Sequence, residues 1–213
     1  MSFKQDQPNI LTKKMMNCTR CSLRSGCRQV VPGEGSAEAE IMFIGEGPGQ
    51  KEDELGRPFV GAAGKFLEEM LGYINLKRED VYIANVVKCR PPGNRDPLPE
   101  EVEACWPWLL EQIKIIQPKL IVTLGRHSLE RFLPAQKISQ IHGKALRRDF
   151  PEIGRQVFYA LYHPAAALYN GSMREVLIKD FKRIPKVLEA IKNSGSEIEE
   201  IKEEKVPEQE SLF

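Results

Sequence analysis

The sequence predicts an α/β protein, a three-layer α/β/α sandwich around a central four-stranded, mainly parallel sheet. Four short runs of apolar residues predict the strands, at residues 41–44, 81–87, 120–124 and 157–161. Their hydrophobicity is continuous rather than alternating, which is typical of strands that are buried on both faces of a sheet. Helical patterns separate the runs, and strands that alternate with helices favour right-handed crossovers within one parallel sheet.

Four helices are predicted between and after these strands. They span residues 61–71, 99–116, 127–133 and 173–191. The first carries an apolar stripe and stops at Gly72, a common residue at a helix C-terminus. The second begins at Pro99, which is compatible with a first helical turn. The fourth contains Pro185, so we expect it to kink or end early.

Length and composition indicate one soluble domain with an appendage. The chain has 213 residues, of which 41% are hydrophobic and 29% charged, and this excludes a wholly disordered, collagen-like or membrane-spanning chain. No apolar stretch approaches the roughly 18 residues of a bilayer helix, and the polar N-terminus lacks a signal-peptide pattern. We therefore expect a cytoplasmic protein, with a domain over residues 1–192 and a charged, flexible tail over 193–213.

The net charge of +1 hides an asymmetry. Residues 195–213 contain seven Glu and two Lys, which gives −5, so the other 194 residues carry +6. A moderately basic body permits nucleic-acid binding, although scattered solvating charge explains the same numbers.

Polar and glycine-rich residues follow the predicted strands. They are Gly45–Gly49, Asn85, Gly125–His127 and His163–Ala167. Ligands of open α/β sheets bind at the carboxyl ends of the strands, so this edge is the predicted site. The glycine-rich turn lacks the third glycine of a dinucleotide fingerprint and the Gly-Lys-Ser/Thr of a P-loop, and its proline removes a donor. A flat, uncharged ligand suits the turn better than a phosphate.

Five cysteines form a second constellation. An odd number in an intracellular chain argues against a disulfide framework and favours metal binding or chemistry. Cys18 and Cys21 make a chelating pair that Cys89 and Cys105 could complete, but the spacing does not choose between zinc and iron. Cys27 is either a replacement ligand or a buried bystander, and we favour the bystander.

Three strings together resemble the family 4 uracil-DNA glycosylases. They are GEGPGQKEDELGRPFVGAAG at 45–64, NVVKCRPPGN at 85–94 and HPAAAL at 163–168, and with four suitably placed cysteines the resemblance covers about residues 15–185. It implies an enzyme of base excision repair that flips uracil out of DNA and hydrolyses its N-glycosidic bond, leaving an abasic site. It also implies a [4Fe–4S] cluster on Cys18, Cys21, Cys89 and Cys105. A non-catalytic iron–sulfur DNA-binding module of the same fold and an iron–sulfur electron carrier are the alternatives.

The resemblance implies the site residues as well. The catalytic residues are His163, Glu46 and Glu52, and the residues that bind the base are Gly47, Phe59, Asn85 and Asn94. Phe59 would stack on the base, and the Asn85 amide offers one acceptor and two donors that match the edge of uracil rather than that of cytosine. His163 would stabilise the charge that develops on uracil O2. Which carboxylate handles the water is left open.

DNA and one protein are the expected partners of a monomer. Six basic residues in inferred loops would neutralise phosphates, namely Lys88, Arg90, Arg95, Lys144, Arg147 and Arg148. The segment with Leu168 and Tyr169 would lie beside the lesion and wedge into the duplex. Gln209, Leu212 and Phe213 look like the front half of a sliding-clamp-binding box, with a frayed, solvated terminus as the alternative.

Overall fold

The computed structural model describes residues 3–193 and 198–200. Its strands are β1 (Glu34–Gly35), β2 (Ile41–Gly45), β3 (Tyr82–Asn85), β4 (Leu120–Leu124), β5 (Ala145–Phe150), β6 (Gly154–Leu161) and β7 (Glu199–Glu200). In the described part of the chain they form one seven-stranded mixed sheet in the order β1-β3-β2-β4-β6-β5-β7.

The four predicted strands are β2, β3, β4 and β6, and they form the parallel centre of the sheet. Phe43 pairs with Ile83 on one side and Val122 on the other, and Val122 pairs in turn with Tyr159. The α/β prediction is confirmed, but the sheet is wider than four strands. Antiparallel β1 extends one edge, and antiparallel β5 followed by β7 extends the other.

The helices are α1 (Phe3–Met16), α2 (Leu23–Gly26), α3 (Gln50–Leu55), α4 (Ala62–Gly72), α5 (Pro99–Ile116), α6 (Arg126–Phe132), α7 (Ile138–Ile141), α8 (Ala166–Tyr169), α9 (Gly171–Phe181) and α10 (Ile184–Lys192). Two 3₁₀ turns cover Arg78–Asp80 and Pro92–Asn94. Helices α4, α5 and α6 match the predictions within one residue. The predicted fourth helix ends at Phe181 and resumes at Ile184, which places Pro185 in a first helical turn, where its missing N–H costs nothing.

The apolar strands are continuous because helices cover both faces of the sheet. Met42 and Ile44 pack on one side, in a core shared with α1, α5 and α6. Phe43 and Ile83 pack on the other side, in a core shared with α4, α9 and α10. The predicted three-layer sandwich is therefore observed.

The predicted tail lies mostly outside the described residues. Of 193–213 the structure describes residue 193 and 198–200, where Ile198 is buried and β7 pairs with β5. The clamp-box residues 209–213 also lie outside the described residues. A search of the described helices found none long and apolar enough to cross a membrane.

Candidate active site

A cavity of about 340 Å³ opens at the carboxyl ends of the parallel strands. This volume lies in the range typical of small-ligand sites. All seven residues predicted to act on the base line it: Glu46, Gly47, Glu52, Phe59, Asn85, Asn94 and His163. The structure thus brings together residues that are up to 117 positions apart in the chain, although their roles stay predictions.

Gly45, the last residue of β2, lets two of these side chains meet. A Cβ atom at this position would lie 2.5 Å from Asn85 Oδ1 and 2.6 Å from Phe59 Cζ. Only glycine therefore fits between the amide and the ring.

Asn85, at the end of β3, presents an unsatisfied acceptor. Its side chain is 2% exposed, and its Oδ1 is buried with no hydrogen-bond partner among the described residues. Leaving such an atom unpaired costs about 1–3 kcal/mol, and buried polar groups in proteins are nearly always paired. A ligand with a hydrogen-bond donor could satisfy this oxygen.

Phe59 lies beside this amide in a rare backbone conformation. Its φ is +51°, in the left-handed region that a bulky residue adopts at a cost of about 1–3 kcal/mol. The following amides of Val60 and Gly61 both donate to Glu52 Oε1 at 2.8 Å. The Phe59 ring faces the His163 ring with centroids 5.6 Å apart. Glu52 therefore uses one carboxylate oxygen to hold the segment that carries the aromatic face.

His163 is neutral at neutral pH and carries its proton on Nε2. Burial lowers its pKa to about 4, and the opposing effect of the Glu52 charge is smaller. Its Nδ1 accepts a hydrogen bond from the Ala165 amide at 3.2 Å. The proton of the neutral ring is therefore on Nε2, which leaves one N–H donor for a ligand.

Glu46 has a raised pKa and a charged neighbourhood. Burial is the largest cause, and Asp96 raises the pKa further, whereas His127 and Arg126 lower it. His127 Nε2 lies 3.7 Å from Glu46 Oε2 and 3.2 Å from Asp96 Oδ2. Sequence reasoning missed Asp96, and the only signal for His127 was its position just after β4. A carboxyl whose pKa is perturbed by burial and by neighbouring charges is typical of functional sites.

Asn94 and Arg95 form the more exposed wall. Asn94 Oδ1 accepts a hydrogen bond from Arg90 Nε at 2.7 Å. Arg95 makes a two-pronged contact with the carboxylate of Glu101, at 2.7 and 2.8 Å. The Glu101 side chain is 1% exposed, so this pair anchors the wall to α5.

Six basic residues are predicted to lie in loops where they can contact phosphates, and for three of them this placement is wrong. Lys88 is buried, and its Nζ donates to the Asn85 carbonyl at 2.7 Å and to Gln112 Oε1 at 2.6 Å. Arg147 and Arg148 lie in strand β5, between β6 and β7, rather than in a loop. From the sequence, a charged residue between β3 and α5 is expected to be exposed. The sequence does not show which residues surround Lys88 in the fold.

The four predicted cysteine ligands line a second, small cavity. Cys18, Cys21, Cys89 and Cys105 surround it together with Trp108 and Lys88. Trp108 Nε1 donates to Cys18 Sγ at 3.2 Å, and the Lys88 amide donates to Cys105 Sγ at 3.3 Å. Such N–H donors stabilise metal-bound thiolates.

The donor set fits an iron–sulfur cluster. Burial raises the pKa of the Cys89 thiol and brings that of Cys105 to about 11, so these buried thiolates need metal to compensate their charge. Four cysteine thiolates are the usual ligands of such a cluster. Cys27 does not line this cavity, and its Sγ donates to the Arg24 carbonyl at 3.6 Å.

Comparisons with known proteins give one family. The profile of the Uracil DNA glycosylase superfamily matches residues 32–192. The Type-4 uracil-DNA glycosylase of Sulfurisphaera tokodaii is 48% identical over 185 residues, which cover 84% of each chain. Proteins of the same name are 48% identical in Archaeoglobus fulgidus, over 82% of this chain and 89% of the relative, and 42% identical in Thermotoga maritima, over 86% and 95%. Matches of this extent, on a chain whose cavity unites the residues of the three strings, show that the protein belongs to the uracil-DNA glycosylase superfamily and, within it, to the type-4 uracil-DNA glycosylases.

Proposed function

We propose that this chain is a uracil-DNA glycosylase that flips uracil out of DNA and hydrolyses its N-glycosidic bond, leaving an abasic site in base excision repair. The observation that carries the proposal is the buried, unpaired Oδ1 of Asn85 in a cavity with an aromatic face and a neutral histidine. A flipped base is flat, uncharged and rich in hydrogen-bonding edges.

Asn85 accounts for the choice of uracil over cytosine. Uracil presents a donor at N3 and an acceptor at O4, which pair with the amide oxygen and the amide NH₂ of Asn85. Cytosine presents the reverse pattern at both atoms. Each buried mismatch costs on the order of 1–3 kcal/mol, so one fixed amide provides the discrimination.

His163 and Glu46 account for the chemistry. As the bond between C1′ and N1 breaks, its electron pair leaves with uracil and negative charge gathers on O2. The Nε2–H of His163 stabilises that charge most in the transition state, which lowers the barrier. A water molecule supplies the hydroxyl that joins C1′, and the proton that it releases neutralises the departing uracil anion at N1. Glu46 positions this water or stabilises the sugar cation, because Glu52 already holds two backbone amides through Oε1.

Cys18, Cys21, Cys89 and Cys105 would hold the [4Fe–4S] cluster, which supplies four metal–thiolate bonds between the N-terminal segment and the β3–α5 segment. The chain itself continues this connection to the cavity. Ser22 Oγ, next to Cys21, donates to Glu101 Oε1 at 3.2 Å, and Glu101 in turn holds Arg95 on the cavity wall. We infer that the role of the cluster is to brace this wall.

We propose that the partner of the enzyme is uracil-containing DNA. The enzyme would act as a monomer in the cytoplasm, together with the DNA. Leu168 and Tyr169 lie in α8, close after His163, and are 47% and 91% exposed. Apolar side chains at this place would enter the duplex at the gap that the flipped base leaves.

Release of free uracil from an oligonucleotide with a single uracil tests the activity. We expect free uracil and an alkali-labile abasic site, and no product from a matched oligonucleotide with cytosine or thymine. His163→Ala should lower the single-turnover rate by roughly 10²-fold while changing DNA affinity little, because one transition-state donor is lost. Tight DNA binding without any uracil release would instead identify the non-catalytic module.

The tail adds a proposed protein partner. A charged stretch ending in Leu212 and Phe213 would tether the enzyme to a sliding clamp and raise its effective concentration at replicating DNA. Removal of residues 206–213 should leave uracil release from short oligonucleotides unchanged and weaken binding to the cell's own clamp. Calorimetric titration of the tail peptide with that clamp checks this, and absence of heat at about 100 μM would reduce the tail to a solubilising appendage.

A further inference from the structure

The conformation of Phe59 requires support from its surroundings. A bulky residue at φ +51° is an outlier that relaxes unless neighbouring groups hold it. The Glu52 carboxylate holds the amides of Val60 and Gly61, which follow the ring. These bonds hold only the backbone that follows Phe59.

Arg78 binds the carbonyls of the peptides on both sides of Phe59. Its Nη1 donates to the Phe59 carbonyl at 2.8 Å, and its Nη2 donates to the Pro58 carbonyl at 2.6 Å. Arg78 lies in the 3₁₀ turn before β3, its side chain is 15% exposed, and it does not line the cavity. Four consecutive residues, 58–61, are therefore bound by one guanidinium and one carboxylate.

Glu34 orients the guanidinium. The carboxylate belongs to β1, and its Oε1 accepts a hydrogen bond from Arg78 Nε at 2.9 Å. Arg57 binds the same carboxylate at Oε2, at 2.7 Å, from a side chain that is 61% exposed. Both arginines therefore share one anion, but among their recorded bonds only those of Arg78 reach the carbonyls of Pro58 and Phe59.

We infer that Arg78 is a positioning residue for base stacking, which acts with Glu52 as a clamp on residues 58–61 and thereby sets the plane of the Phe59 ring. The inference rests on the proposed function and deepens it. Arg78 acts through Phe59 and touches neither the base nor the sugar. Arginine suits this position better than lysine because its planar fork binds two carbonyls at once, whereas lysine offers a single charged point.

A double-mutant cycle in single-turnover uracil release tests the inference. Arg78→Met should lower the rate by roughly tenfold in the Phe59 enzyme and by less than twofold in the Phe59→Ala enzyme, because the clamp has no ring left to position. Arg78→Lys should recover part of the rate. The matched control is Arg57→Met, which removes a partner of the same carboxylate and should keep the full rate.

Hydrogen exchange of the DNA-free protein gives a second measurement. The amides of Val60 and Gly61 should exchange at least tenfold faster in Arg78→Met than in wild type or Arg57→Met. If Arg78→Met does not fold, Arg78→Lys takes its place in both the double-mutant cycle and the hydrogen-exchange measurement. An equal loss of rate with and without the Phe59 ring, or unchanged exchange, would overturn the clamp. A wild-type protein that releases no uracil would refute the proposed function instead, and the exchange result would still decide the clamp.

Discussion

At the scale of single residues, selectivity depends on the amide of Asn85. Among the described residues nothing donates to its buried oxygen, and the N3–H of uracil would supply that donor. Asn85→Asp replaces the NH₂ donor by an acceptor and adds a charge, and should therefore weaken uracil release by at least 10²-fold and relax the rejection of cytosine. Single-turnover rates on uracil and cytosine oligonucleotides measure both effects.

The control for this charge change is Asn75→Asp, in the exposed turn after α4. It should leave both rates within twofold of wild type. Unchanged rates and selectivity in Asn85→Asp would show that another group reads the base.

His163 also links protonation to stability. Because its folded pKa is about 4 and its usual value is 6.5, the unfolded chain binds the proton more readily between these two values. The free energy of unfolding should therefore fall as pH falls below about 6.5. Between pH 7.5 and pH 5, wild type should lose about 2 kcal/mol more than His163→Gln. Urea unfolding of both proteins at the two pH values measures the difference, and an equal loss would show that the ring is protonated in the fold.

At the scale of elements, α4 depends on a close backbone contact. A Cβ on Gly64 would lie 1.8 Å from the carbonyl oxygen of Phe59, whereas one on Gly72, at the other end of the helix, meets nothing within 4 Å. Gly64→Ala should therefore destabilise the protein by about 2 kcal/mol and slow uracil release, because the clamped segment has to move. Gly72→Ala should stabilise it by about 0.5–1 kcal/mol.

Urea unfolding and single-turnover rates of the two alanine variants check this pair. Equal stability of both variants would mean that the first turn of α4 can shift without disturbing Phe59.

At the scale of the whole molecule, the cluster ligands join the N-terminal segment to the body of the domain. Single replacement of Cys18, Cys21, Cys89 or Cys105 by Ala should abolish the brown iron–sulfur absorbance or make it labile, whereas Cys27→Ala should not. Visible spectra and metal analysis of the purified variants measure this. If metal analysis finds one zinc and no iron in the wild-type protein, the cysteines hold a structural zinc ion and not an iron–sulfur cluster.

The sequence by itself determined the parallel centre of the sheet and the edge where the cavity lies. Continuous apolar runs identify β2, β3, β4 and β6, because only strands covered on both faces lack polar alternation. Strand β5 escaped notice because it carries three charged side chains and buries only Leu146, so it has no apolar run. Two-residue strands such as β1 carry no pattern at all.

The resemblance supplied the site residues, but only the tertiary structure decided what each side chain contacts. In the fold, Lys88 is buried and bonds to the Asn85 carbonyl, and Glu52 accepts a hydrogen bond from the Val60 amide. Arg78, which lies outside the cavity, donates to the Phe59 carbonyl. These contacts join residues that are distant in sequence or compete for the same partners, and the energy of a buried polar group depends on whether a partner is present. Local patterns record which face of an element is buried, whereas hydrogen-bond partners follow from how the elements pack.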